Sequence, residues 1–229
     1  MLHRSIIEAR SQVAFPEHTG ERIYMEPFTK ADGLPSHLAR WQDTVNAMLD
    51  GIDTDGPIYL MIDQSAVRSG NAQRRPGLHI DGYWNPGSLR HGSHMAAAHR
   101  GDQPMHRSVP ARHSPFNRHK PDPKTGMHQS HRPGLQGNDW ANATFDAPEA
   151  IILASSISAA CGYVGNYEGQ IGDMGDCAHI DTSNMDVLPM IAGTVYAGNV
   201  NCLHESLPVQ MDCERTLVRL NVPGWTPEG

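Results

Sequence analysis

About fifty consecutive residues in the middle of the chain, from Ser88 to Gly137, show no apolar periodicity and so cannot contribute to a packed core. The stretch is rich in Gly, Pro, His, Arg and Ser, a composition typical of a long loop or a disordered insert. The core must therefore be assembled from two separated parts of the chain. We interpret the 229 residues as a single domain, 1–229, with an insert at about 88–137.

Outside the insert, apolar residues occur in short runs broken by Gly and Pro, which is typical of β-strands. One helix is predicted within "TKADGLPSHLARWQDTVNAMLDG", because apolar residues recur there at steps of three and four. The sequence predicts an α+β, mainly β fold, with this helix beside a β-barrel or jelly-roll core. The strand-like segments are "ERIYMEPF" (an edge strand), "GPIYLMIDQSAV", "EAIILASSISAACGYVGNYEG" (two strands), "VLPMIAGTVYAGNVNCLHESLPV" and "RTLVRLNVPGW".

Charge and cysteine content limit the classes of function. The net charge of -7 gives no general expectation of nucleic-acid binding, but the segment from Arg90 to Pro133 has eight Lys/Arg against two Asp/Glu, or +6. The remaining 10 basic and 23 acidic residues give -13. Four cysteines without a CxxC pair predict free thiols in a reducing compartment. With no long apolar run and no signal-peptide stretch, we expect a soluble, cytoplasmic protein without a membrane partner.

The tripeptide His-Ile-Asp occurs twice, at 79–81 and at 179–181. In a strand, residues two apart point to the same side, so the His and Asp of either copy can share a metal ion. Two imidazoles and one carboxylate form the facial triad of non-haem Fe(II) oxygenases, which leaves coordination positions open for other ligands. The second imidazole is predicted to come from His204, on a different strand that lines the same pocket.

The distance along the chain favours the first copy. The fold implied by the resemblance described next places roughly four strands between its metal-bearing strands, and the 23 residues from Asp181 to His204 are too few for them. Asp81 lies 123 residues before His204, which is ample even without the insert. We therefore predict a metal site at His79, Asp81 and His204. The alternative is that these are unrelated polar residues, and for His179 and Asp181 we expect a loop pair with ordinary hydrogen bonds.

The segment "HESLPVQMDCERTLVRLNV" resembles the His-Glu-x-x-Pro-Val and Arg segment of the Fe(II)/2-oxoglutarate-dependent dioxygenases. The resemblance covers about half of the chain and implies a double-stranded β-helix core. It also implies that His79, Asp81 and His204 form the catalytic Fe(II) centre, with O2 and 2-oxoglutarate as co-substrates. Arg215 would bind the distal carboxylate of 2-oxoglutarate; Arg219, on the same strand face, is the alternative.

Five further residues are candidates for contacts in the site. Tyr59 could donate its hydroxyl to the co-substrate carboxylate, or it could be a packed aromatic. Arg74 and Arg75 could contact substrate, or they could belong to a solvated turn. Tyr83 and Trp84 follow the metal-binding aspartate, where they could shape the substrate mouth or pack in the core.

The basic insert follows the first metal strand, an arrangement similar to the TET/JBP-like dioxygenases that oxidise 5-methylpyrimidines in DNA. This resemblance implies the methyl of 5-methylcytosine in DNA as substrate, with the base extruded from the stack. Two alternatives remain open. One is hydroxylation of a protein side chain or small molecule, suggested by the prolyl-hydroxylase-like "HESLPV". The other is a cupin-like metal-binding protein without oxygenase activity.

Overall fold

The computed structural model describes residues 1–84, 140, 143 and 145–228. The predicted insert at 88–137 lies outside the described residues. Within them, ten strands and one α-helix form, together with short 3-10 helices at Ser36–Trp41 and Asp173–Gly175. The elements are β1 Leu2–Ser5, β2 Ile7–Gln12, β3 Arg22–Phe28, α1 Gln42–Met48, β4 Ile58–Val67, β5 Glu149–Ser155, β6 Ala160–Glu168, β7 Asp186–Pro189, β8 Thr194–Gly198, β9 Leu203–Ser206 and β10 Cys213–Pro223.

Six strands form an antiparallel sheet in the order β2-β8-β5-β10-β4-β3. Successive side chains of a strand point to opposite faces, so this sheet has two different surfaces. One face packs on α1 and its preceding 3-10 turn, where Trp41 and Val45 are fully buried. Burying side chains of this size contributes about 1.5–3 kcal/mol each, so the helix is held chiefly by this apolar contact.

The second sheet is smaller and lies against the other face. β6 is at its centre, with β7 on one side and both β1 and β9 on the other. The segment around His79 extends this sheet beyond β9 through a single bridge to His204, and on its far side it bridges to Asp176. Ile7, Ile151, Met190, Tyr196 and Cys202 fill part of the space between the two sheets. What is left of that space is the cavity described below.

The predicted α+β, mainly β class is confirmed, and each of the strand-like segments quoted above contains a strand. The strand expected to carry His79 and Asp81 is not formed, because this segment makes only isolated bridges at His79. β3 is an edge strand, as expected, because it ends the order of the larger sheet. The helix is shorter than the predicted segment, with its first turns in 3-10 form. β1 and β2 were not predicted. Their signal is weak, since Ile7 is the only apolar residue of β2 that is buried, and β2 lies at a sheet edge.

Candidate metal centre

The two histidines of the predicted metal site lie directly opposite each other on neighbouring chain segments. The backbone N–H of His79 donates to the carbonyl of His204 at 3.0 Å, and the N–H of His204 donates to the carbonyl of His79 at 3.0 Å. Residues paired in this way carry their side chains on the same face of the sheet. The two imidazole rings accordingly lie 4.5 Å apart between centroids.

Asp81 completes a group of three possible metal ligands. Its Oδ2 lies 3.5 Å from Nε2 of His204, and one donor atom from each of the three residues lies within 4.8 Å of the others. No other group of three His, Cys, Asp or Glu donors within the described residues meets this condition. His79 and His204 are buried, while Asp81 is partly buried. The convergence predicted from the sequence is present, and its use for metal binding stays a prediction.

Backbone carbonyls orient both imidazoles. Nδ1 of His79 lies 2.7 Å from the carbonyl of Gly77, and Nδ1 of His204 lies 3.0 Å from the carbonyl of Cys202. Each Nδ1 is therefore occupied as a donor, which leaves Nε2 to act as the metal-binding atom. This arrangement fixes the ring orientation before any metal binds.

The protonation states fit a site that exchanges a proton for a metal ion. Burial, together with the nearby His204, lowers the pKa of His79 to about 3, so its ring is neutral at pH 7. Burial opposes a charge on His204, but the hydrogen bond and charge of Asp81 outweigh it and raise the pKa of His204 to about 10. Burial would raise the pKa of Asp81, yet Arg219 and the two histidines hold it well below its usual range. A metal ion bound here would thus displace a proton from His204.

The three candidate ligands open into a cavity of about 640 Å³, its mouth included, between the two sheets. Its walls come from the inner faces of β10, β5 and β4, from β8 and β9, and from the segment before His79. Apolar side chains form much of the lining, among them Met61, Leu153, Met190 and Leu217. A mostly apolar concave site with a few convergent polar groups is the usual form of a small-molecule pocket.

Arg215 is a buried cation in the wall of this cavity, with a side chain that is only 1% exposed. Its Nε donates to Oγ of Ser155 at 2.9 Å, whereas its Nη1 has no hydrogen-bond partner among the described residues. No described carboxylate lies within ion-pair distance of it. Burial lowers the pKa of Arg215, which is the cost of an uncompensated charge. An anion in the cavity would satisfy both the charge and the free donor.

Arg219 lies on the same face of β10 but has a partner already. Its Nη1 donates to Oδ1 of Asp81 at 2.7 Å, and its Nη2 lies 3.6 Å from Sδ of Met25. This contact occupies one oxygen of the carboxylate and leaves the other facing His204. The geometry therefore favours Arg215 over Arg219 as the anchor for a co-substrate carboxylate, which was the order of preference from the sequence.

The remaining polar candidates separate into those that reach the cavity and those that do not. Arg74 lines it, and its Nη1 lies 3.4 Å from Oδ2 of Asp63. Arg75 points elsewhere and donates to the carbonyl of Met174 at 2.7 Å. Tyr59 is not among the lining residues; it contacts Trp84 with 6.1 Å between ring centroids. For Tyr59 the structure thus favours the packed-aromatic alternative, and for Arg75 a surface contact.

Tyr83 and Trp84 also lie outside the cavity wall. Tyr83 is 2% exposed and stacks on Phe145 with 5.6 Å between centroids and 6° between ring planes. Its hydroxyl donates to the carbonyl of Ala147 at 3.1 Å and accepts from the N–H of Ala147 at 2.9 Å. Trp84 packs edge-on against Tyr24 and Tyr59. The expectation that Tyr83 shapes a substrate mouth is not supported, because its ring and hydroxyl are both committed to the core.

The Tyr83 geometry leads to a prediction about stability. Tyr83→Phe removes the partner of two backbone groups of Ala147, which costs about 1–3 kcal/mol in the free energy of unfolding. We expect a lower urea midpoint and unchanged binding of any ligand in the cavity. Tyr59→Phe is the matched control, because the Tyr59 hydroxyl has no hydrogen bond to a described residue, and it should change stability by less than about 0.5 kcal/mol. Equal losses in the two variants would contradict this role for Tyr83.

The second His-Ile-Asp copy lies on the surface. His179 is exposed, with Nε2 at 2.9 Å from the carbonyl of Gln170, and the exposed Asp181 accepts from the N–H of Ser183 at 2.9 Å. That hydrogen bond lowers the pKa of Asp181. The predicted loop pair with ordinary hydrogen bonds is confirmed.

Two residues that contact the arginines of the cavity wall were not predicted from the sequence. Ser155 holds Nε of Arg215, and Asp63 is a buried carboxylate next to Arg74. Ser155 is the last residue of β5, and nothing in the surrounding sequence distinguishes it from any other serine at the end of a strand. Asp63 carries a usable signal, because an acid inside the apolar run "IYLMIDQSAV" must either be paired or cost several kcal/mol when buried.

Comparisons with family models, curated proteins and solved structures give no match. Among the described residues, no helix is both long and apolar enough to cross a membrane. The assignment of a function therefore rests on the residues and their geometry.

Proposed function

We propose that the protein is an Fe(II)- and 2-oxoglutarate-dependent dioxygenase that hydroxylates an unactivated C–H bond. The observation that carries the proposal is the shared cavity. His79, Asp81 and His204 open into the same space as Arg215, a buried cation without a carboxylate partner in the described part of the chain. A metal-binding barrel without this chemistry has no use for an uncompensated guanidinium, which is costly to bury.

The topology supports a double-stranded β-helix, the finer form of the predicted fold. Two antiparallel sheets face each other across the cavity, and β5, β6, β7 and β8 all lie between Asp81 and His204 in the chain. These four intervening strands agree with the number on which the sequence-based preference for the first His-Ile-Asp copy depends. His79 and His204 then belong to neighbouring positions of the smaller sheet, while Arg215 belongs to the larger one.

The donor set fits a ferrous ion, because imidazole nitrogen and carboxylate oxygen are the ligands of non-haem Fe(II) sites with open positions. When bound, Fe(II) would supply the activation of O2, with 2-oxoglutarate oxidised to succinate and CO2 and one oxygen atom transferred to the substrate.

The protein's own residues perform binding and orientation. His79 and His204 present Nε2 because backbone carbonyls hold their Nδ1 atoms. Arg219 fixes the orientation of Asp81 and leaves one of its oxygens for the metal. Arg215 binds the distal carboxylate of 2-oxoglutarate by a charge-assisted hydrogen bond from its free Nη1. The apolar lining excludes water from the reacting groups.

The first substrate to test is the methyl of 5-methylcytosine in DNA. It is proposed from the +6 segment between Arg90 and Pro133, which can follow a phosphate backbone and which lies outside the described residues. Hydroxylation of a protein side chain or a small molecule is the alternative. Deleting 92–133 separates the two: loss of DNA binding with intact uncoupled 2-oxoglutarate turnover supports DNA, and unchanged DNA affinity contradicts it.

The test of the reaction class is succinate release from the purified protein with Fe(II), ascorbate and 2-oxoglutarate. We expect turnover that disappears when the metal is removed with a chelator and returns when Fe(II) is added. The substrate panel consists of methylated DNA, methylated nucleosides and peptides. Metal binding without any consumption of 2-oxoglutarate would contradict the proposal and favour the cupin-like alternative.

A further inference from the structure

A second guanidinium, that of Arg74, faces the same cavity with most of its hydrogen-bonding capacity unused. Its Nη1 lies 3.4 Å from Oδ2 of Asp63, the one side-chain hydrogen bond that Arg74 makes within the described residues. A guanidinium carries several N–H donors in a planar fork suited to carboxylate and phosphate. The Arg74 side chain is 25% exposed, so the remaining donors are accessible from the cavity mouth.

The neighbours of Arg74 hold it in place. Nε2 of Gln73 donates to the carbonyl of Asp63 at 2.9 Å, to Oγ of Ser65 at 3.0 Å and to the carbonyl of Arg215 at 3.2 Å. On the other side, Arg75 is bonded to the carbonyl of Met174. The segment is thus attached to β4, β10 and the 3-10 turn at Asp173–Gly175, which restricts the backbone that carries Arg74 before a ligand arrives, and the contact with Asp63 directs the guanidinium itself. A preorganised contact loses less conformational entropy on binding.

The charges around Arg74 do not balance. Asp63 is 2% exposed and lies 3.7 Å from Nε of Arg22 as well as 3.4 Å from Nη1 of Arg74. Among the described residues, no second carboxylate lies within ion-pair distance of either arginine. Both distances exceed those of a strong charge-assisted hydrogen bond. Two guanidinium groups therefore share one carboxylate, which leaves a net positive charge beside the cavity.

We propose that Arg74 binds an anionic oxygen group of the substrate, which is a phosphate or a carboxylate; this inference rests on the proposed function. The cavity then has two anion sites with separate tasks. Arg215, which is almost fully buried, takes the small co-substrate, and the partly exposed Arg74 takes the larger molecule at the mouth. Arg75, although adjacent in the chain, is excluded from this role because its guanidinium faces away from the cavity.

The test is a binding titration of the protein loaded with Mn(II) and 2-oxoglutarate, without oxygen, so that Arg215 is already occupied. The probes are 5-methyl-2′-deoxycytidine and its 5′-monophosphate, which differ only in the anionic group. We expect the monophosphate to bind about tenfold more tightly, as for one charge-assisted hydrogen bond at a partly exposed site. Arg74→Gln should abolish this preference and Arg75→Gln should retain it. Inorganic phosphate should compete with the monophosphate and not with the nucleoside.

Equal binding of the two probes by the unmodified protein would overturn the proposal, as would a preference that persists in Arg74→Gln. If Arg75→Gln loses the preference for the monophosphate as completely as Arg74→Gln does, the proposal is also overturned, because the preference then depends on the overall surface charge and not on one contact. Arg74→Lys, which keeps the charge, should retain part of the preference, and this separates the loss of the contact from misfolding. Failure to bind 2-oxoglutarate contradicts the proposed function instead, and the phosphate preference can still be measured in the metal-free protein.

Discussion

His204→Ala is expected to weaken metal binding by more than about 100-fold and to abolish 2-oxoglutarate turnover. The change removes one of the three candidate ligand atoms, whereas loss of a group that only supports a ligand costs about 10–100-fold. The fold should survive, because Asp81 keeps its 2.7 Å contact with Arg219. Metal affinity is measured by titration with Mn(II) or Co(II), and folding by thermal unfolding of the metal-free variant.

The chain contains a matched control for this experiment. His179 belongs to the second His-Ile-Asp copy, and it is exposed, with its ring bonded to the carbonyl of Gln170. His179→Ala should leave both metal affinity and turnover unchanged. The same comparison applies to Asp81→Ala against Asp181→Ala. A variant of the second copy that loses as much affinity as its counterpart would refute the assignment of the metal site.

Arg215→Leu is expected to raise the dissociation constant of 2-oxoglutarate by at least about 100-fold, while metal affinity changes little. Truncating one partner of a buried, hydrogen-bonded charge pair typically costs 2–5 kcal/mol or more, and about 1.4 kcal/mol corresponds to a factor of ten. The measurement is a titration of 2-oxoglutarate into the Mn(II)-loaded protein without oxygen.

Stability separates a binding role of Arg215 from a structural one. Without ligand, Arg215 is a buried charge whose Nη1 has no hydrogen-bond partner in the described part of the chain, so replacing it with an apolar side chain should leave the free energy of unfolding unchanged or higher. Arg219→Leu should show the opposite pattern, with weaker metal binding and lower stability, because it leaves Asp81 without its closest partner. If Arg215→Leu lowers the free energy of unfolding by several kcal/mol, Arg215 has a structural role and does not serve to bind the 2-oxoglutarate carboxylate.

The metal-site convergence could be predicted because it depends on two robust rules. Side chains two apart in an extended segment can share a face, which holds here although 79–81 forms only isolated bridges and no strand, and the fold that the sequence resembles places about four strands between its two metal-bearing segments. These rules selected His79 and Asp81 over His179 and Asp181 without any knowledge of the contacts. The edge strand β3 and the buried strand β4 were equally clear, since an apolar run bounded by Gly and Pro has few other interpretations.

What the sequence could not decide depends on side-chain partners. Arg215 and Arg219 lie on the same strand face; the sequence could rank Arg215 first, but only the contact of Arg219 with Asp81 shows that the two side chains have different partners. Arg74 and Arg75 are adjacent in the chain, and only their side-chain partners, Asp63 for Arg74 and the carbonyl of Met174 for Arg75, show which of them lines the cavity. An aromatic residue next to a ligand, such as Tyr83, has no pattern that separates packing from binding. β1 and β2 were missed because edge strands need few buried residues.

The stacking of Tyr83 on Phe145 has a consequence for how the chain tolerates change in length. These rings, with the hydroxyl of Tyr83 bonded to Ala147, fasten together the two places where the backbone leaves and rejoins the described fold. For a flexible loop whose two ends are held together in this way, doubling the loop length costs only about 0.6 kcal/mol more in the free energy of closure. A change in the length of the connecting segment is therefore expected to cost little stability and to leave the three candidate ligands His79, Asp81 and His204 in place.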